Sequence, residues 1–68
     1  MTIEQVRAER IARENRARER AEAIGPGDYY ASGPDVCDNA TRATVLTCES
    51  HWDACLVLIE CARLRVAA

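Results

Sequence analysis

The 68-residue sequence predicts an all-α protein in three parts. Residues 1–24 are expected to form a charged helix and 25–34 a Gly/Pro linker. Residues 35–68 are expected to form a Cys-containing amphipathic segment, either one long helix or a helical hairpin. Three observations predict this. All three Gly and both Pro lie between Gly25 and Pro34, so neither flank contains a strong helix breaker. Ala and Arg, good helix formers, recur in both flanks. The apolar positions after Pro34 keep one phase at the helical period across residue 50.

The first element opens with Thr2-x-x-Gln5, a capping-box pattern, and ends where Gly25-Pro26 stops it. Its interior holds six Arg and five Glu. Glu9–Arg13 and Glu14–Arg18 are favourably oriented i,i+4 pairs. The best apolar seam is Ile3, Val6, Ala17 and Ile24, interrupted by Arg10, Arg13 and Arg20. Such a seam predicts a solvated helix docked at its two ends rather than a strong coiled coil. In the linker, Asp28-Tyr29-Tyr30 offers a pair of aromatic side chains to cover a small core or meet a partner.

The last segment starts at Gly33-Pro34-Asp35, with Pro and an acidic residue in the first turn. Asp38, Arg42, Glu49, Asp53 and Glu60 project to one polar sector, with Leu56 the large apolar residue among them. Val36, Val45, Trp52, Leu58, Ile59 and Val66 lie on the other faces. Ser50-x-x-Asp53 reads as a second N-cap and favours a hairpin turning near Cys48 to His51. The runs Ala43–Thr47 and Leu56–Ile59 also suit strands, but the sequence shows no hairpin turn chemistry beside them.

Four cysteines, spaced C-x10-C-x6-C-x5-C, carry the chemistry. Disulfide candidates are Cys48 with Cys55 and Cys37 with Cys61. On one continuous helix Cys48 and Cys55 stand about 10.5 Å apart, beyond the roughly 7 Å a disulfide spans, so bridging requires the hairpin. A second candidate is a metal set of Cys37, Cys48, His51 and Cys55, with zinc as the ion, because Cys₃His is an ordinary structural zinc shell. A third is that the thiols are small buried hydrophobes. A Cys–His–Asp catalytic arrangement around His51 and Asp53 lacks any oxyanion donor in the sequence.

The segment Cys55-Leu-Val-Leu-Ile-Glu60-Cys61 resembles the Cys-Thr-Leu-Thr-x-Glu-Cys ring motif of mersacidin-type lantibiotics, over seven residues. That resemblance implies a ribosomal peptide precursor with a charged leader. Leu56 and Leu58 stand where the motif has its ring-forming threonines.

Composition excludes several classes. The net charge of −2 and pI of about 5.3 give no basic surface for nucleic acid. The apolar run Ala54–Ile59 is far short of the roughly 18 residues of a membrane span, and no signal-peptide pattern is present. A chain this short holds no deep catalytic pocket. All nine basic residues are Arg, the pattern of a GC-rich coding sequence. The expectation is a non-enzymatic helical interaction subunit, cytoplasmic or part of a larger assembly such as a virion. Val45, Leu46, Trp52, Leu56, Leu58 and Ile59 would meet a protein partner or a further copy of the chain. A zinc-dependent regulator and a peptide precursor are the alternatives.

Overall fold

The computed structural model describes residues 2–67. Helix α1 (Ile3–Ile24) is followed by strands β1 (Tyr29–Ser32), β2 (Asp35–Asp38) and β3 (Thr44–Thr47), then by helix α2 (His51–Ala67). The strands form one antiparallel sheet in the order β1-β2-β3. The fold is therefore α+β, which corrects the all-α expectation. The segment expected over 35–68 forms, in its described residues 35–67, neither one long helix nor a helical hairpin, and β1 lies within 25–34.

Turn chemistry accounts for the correction. Ser32 pairs with Asp35, which leaves Gly33-Pro34 as a two-residue loop. Gly33 has φ +58 at the first central position, the requirement of a II′-type hairpin turn. The same Gly-Pro pair, taken as a helix start, hides the hairpin. The second turn is closed by Asp38, whose carboxylate accepts from the backbone N–H of Ala40 at 2.8 Å and of Thr41 at 3.2 Å. Arg42 takes the left-handed conformation there, with φ 64.

Register explains the burial. Val36 faces Ala31 on β1 and Leu46 on β3, while Cys37 faces Tyr30 and Thr44. The pairing slips between Val36 and Cys37, so Val45 is the extra residue of a bulge. Tyr29, Ala31, Val36, Leu46 and Cys48 belong to the core cluster that includes α2. Cys37 is buried on the opposite face, its sulfur 3.7 Å from Thr44 Oγ1.

The helix caps follow the sequence. Thr2 and Gln5 form the capping box of α1, with bonds of 2.9 and 3.2 Å. Ser50 Oγ accepts the Asp53 N–H at 3.2 Å and donates to its carboxylate at 2.8 Å. The Ser50-x-x-Asp53 signal thus marks the start of α2, with a sheet rather than a helix before it. Leu56–Ile59 lies inside α2 and is not a strand.

The core is built from small side chains: Ala17 and Ala21 of α1, Val36, Cys48, and Ala54, Val57 and Cys61 of α2. Val36 and Val57 are the largest fully buried residues, each worth about 1.5–3 kcal/mol of apolar burial. Alanines on both helices let the two backbones approach closely. Helix α1 buries side chains in its C-terminal half, at Ala17 and Ala21, whereas Ile3, Val6 and Ile11 are exposed. The expected polar sector also fails at two places: Asp53 and Glu60 are buried. After Pro34 the described residues are helical only over His51–Ala67, so positions 38, 42 and 49 share no helix face with Asp53 and Glu60. Asp53 is held by Ser50 and by Arg13 at 3.9 Å, and Glu60 by Arg63 at 3.0 Å. Among the described residues no buried side-chain polar atom lacks a partner.

Candidate functional site

A groove of about 360 Å³ lies between the N-terminal half of α1 and the first turns of α2. Val6, Trp52 and Leu56 supply its apolar lining, and Glu9, Arg10, Arg13 and Glu14 its charged lining. It exists because α1 is longer than the body it packs on. The 22 residues of α1 extend about 33 Å at 1.5 Å per residue, and its C-terminal half carries the buried Ala17 and Ala21. The N-terminal half therefore runs past the core beside α2.

Two polar contacts fix how the helices meet. The Arg20 guanidinium donates twice to the Glu49 carboxylate, at 2.8 and 2.5 Å, a bidentate pair just before α2. That hydrogen bonding draws the Glu49 carboxyl down from 4.5 to about 2 and raises Arg20. Arg13 reaches Asp53 in the first turn of α2. At the other end of α1 the Tyr29 hydroxyl donates to the carbonyls of Ile24 and Gly25, each at 3.1 Å. Gly27 makes room for that ring, because a Cβ there would lie 2.8 Å from it.

The expected interface residues separate into two groups. Trp52 is 64% exposed, Ile59 49% and Val45 42%. Leu46, Leu56 and Leu58 are half-buried and pack on the core. Trp52 and Ile59 lie on α2, with Leu56 between them in the groove; Val45 sits apart, on the bulge of β3. Val6, Arg10 and Arg13 are not among the interface residues expected from the sequence. Their i, i+4, i+7 spacing on one face of α1 is the signal that marks them.

The four cysteines have different surroundings, and none is disulfide-bonded. Cys37, Cys48 and Cys61 are only 5%, 7% and 2% exposed, whereas Cys55 is half-buried at the surface of α2. Burial pushes the Cys48 and Cys61 thiols up, Arg20 opposing the effect at Cys48. The pairs Cys48–Cys55 and Cys37–Cys61 are not joined: Cys48 and Cys61 belong to the core, and Cys37 lies on the outer face of the sheet. Of the metal set, the structure brings together only His51 and Cys55, with Nε2 and Sγ 3.5 Å apart. Among the described residues no group of three or more Cys, His, Asp or Glu side chains is placed to share an ion. His51 Nδ1 is 2.8 Å from the Gly33 carbonyl oxygen in the β1–β2 turn.

Among the described residues no helix is long and apolar enough to cross a membrane. Neither a family model, nor a curated protein, nor a solved structure matches the chain.

Proposed function

We propose that this chain is a small non-catalytic assembly subunit that associates with a second copy of itself through the α1–α2 groove. The carrying observation is the exposure of Trp52 beside Val6 and Leu56 in a groove, with Ile59 exposed one to two turns further along α2. A large aromatic side chain left open in a concave apolar site is the usual anchor of a protein interface.

Charge and size favour a second copy as the occupant. The groove is bordered by Glu9 and Glu14 and by Arg10 and Arg13, so both signs stand on one face. In a two-fold contact the same patch meets itself, and such a mixed border can place each carboxylate of one copy against a guanidinium of the other. A net charge of −2 opposes this only weakly. The chain exposes 4791 Å², whereas a compact monomer of its mass exposes about 4,200 Å². The excess is surface that pairing can cover.

Sedimentation equilibrium tests the proposal. The wild-type chain is expected to be a dimer at micromolar concentration, and Trp52→Glu a folded monomer with an unchanged circular dichroism spectrum. A wild type that remains monomeric at high concentration overturns it, as does a Trp52→Glu variant that still dimerises.

A further inference from the structure

Three of the four thiols are enclosed, and the fourth is set against a base. Cys55 is one helical turn after His51, and its sulfur is 3.5 Å from Nε2. The other ring nitrogen is committed. Nδ1 lies 2.8 Å from the Gly33 carbonyl, which can only accept, so Nδ1 carries the proton. In the neutral ring Nε2 is then the lone-pair nitrogen, and it faces the thiol. The carbonyl that sets this tautomer belongs to the tight turn between β1 and β2, so the ring is held by the fold and not by a flexible side chain. Nucleophile, base and orienting group are the parts of an activated thiol, and partial exposure gives a reagent access.

We propose that Cys55 and His51 form a thiol–disulfide exchange site, with a small-molecule disulfide as the co-reactant. The thiol proton of Cys55 passes to His51 Nε2. The sulfur attacks one sulfur of the disulfide, a new S–S bond forms and the old one breaks. The departing thiolate takes the proton back from His51. Cys55 ends as a mixed disulfide and the departing sulfur ends as a thiol; the oxidation of the Cys55 sulfur from thiol to disulfide level is balanced by the reduction of the departing sulfur from disulfide to thiol level. No other cysteine is placed to resolve the adduct, since Cys37, Cys48 and Cys61 are enclosed elsewhere in the fold. The site is therefore one of reversible modification rather than turnover.

The test uses the full chain, native and dilute, with an aromatic disulfide whose released thiolate is coloured. One thiol per chain is expected to react in a fast phase that peptide mass mapping assigns to Cys55. Cys37, Cys48 and Cys61 should react at least roughly tenfold more slowly, because burial denies access to the reagent. His51→Gln should slow the Cys55 phase by roughly tenfold or more, a modest share of what a positioned base supplies in an enzyme. It should also change the pH dependence of that phase. Cys55→Ser should abolish the phase and leave the circular dichroism spectrum unchanged. Equal reactivity of all four thiols overturns the proposal. So does a Cys55 rate that His51→Gln leaves untouched. Stoichiometric zinc uptake that blocks Cys55 in the wild type overturns it too, and assigns the pair to metal binding.

Discussion

The Arg20–Glu49 pair is the side-chain contact that ties α1 to the segment leading into α2. Its two hydrogen bonds run in parallel, the geometry in which a guanidinium holds a carboxylate best. Glu49 is held at about 2, below its ordinary 4.5, chiefly by those bonds. A carboxylate with a depressed folded-state pKa contributes stability that is fully present above 4.5 and is lost as the pH falls through about 2. The pair is partly exposed, with Glu49 at 56%, so solvent and salt screen it. Glu49→Gln should therefore melt at a lower temperature than the wild type near neutral pH. The gap should close as both are acidified toward pH 2. A constant gap across that range, followed by thermal melts, would mean that the charge of Glu49 has no part in holding α1. Arg20 interrupts the apolar seam of α1 in the sequence, and only its carboxylate partner 29 residues later explains it.

Among the elements, the helices were legible and the sheet was not. Thr2-x-x-Gln5 and Gly25 mark both ends of α1, and Ser50-x-x-Asp53 marks the start of α2, because caps are local and leave residue types at fixed offsets. Each strand has four residues, too few for a two-residue period to stand out. The β2 sequence Asp-Val-Cys-Asp buries both central residues on opposite faces, so its pattern does not alternate. Gly33-Pro34 suits a helix start as well as a hairpin turn, and only the pairing of Ser32 with Asp35 decides between them. Gly33→Ala tests that decision. No heavy atom lies within 4 Å of the added Cβ, so the cost is that of the left-handed backbone alone. That is about 1–2 kcal/mol, or roughly 4–16 °C in melting temperature for a chain of this size. An unchanged melting temperature would mean that residue 33 is not a left-handed turn residue.

The candidate site was legible in parts for the same reason. The apolar faces of residues 35–68 mark Trp52 and Ile59 as interface candidates, and both are exposed. Val6, Arg10 and Arg13 belong to the groove only because α1 returns beside α2, an arrangement with no local signature. The His51–Cys55 pair follows from its i,i+4 spacing on a helix. Its orienting carbonyl comes from Gly33, 18 residues earlier, in a stretch whose Gly and Pro residues suit a linker as well as a turn.

As a whole molecule the chain is long and thin. Its principal extents are 43 × 27 × 14 Å and its radius of gyration is 12.6 Å, against about 11 Å for a compact chain of 68 residues. The core is made of Ala, Cys and Val, while Ile3, Val6, Ile11, Trp52 and Ile59 remain outside it. A chain of this size buries only about 60% of its unfolded surface and gains most from a partner. No disulfide supplies that support. The apolar side chains left outside the small core, along α1 and the groove beside it, are the surface that the proposed pairing would cover.

Trp52 is the sole tryptophan, so its fluorescence reports on the groove without interference from another indole. The most direct measurement is its emission maximum and its quenching by acrylamide across a dilution series. Self-association predicts a shift to the blue and a loss of quenching as concentration rises, with the midpoint at the dimer dissociation constant. An emission maximum and quenching that stay those of an exposed indole at every concentration would contradict the account.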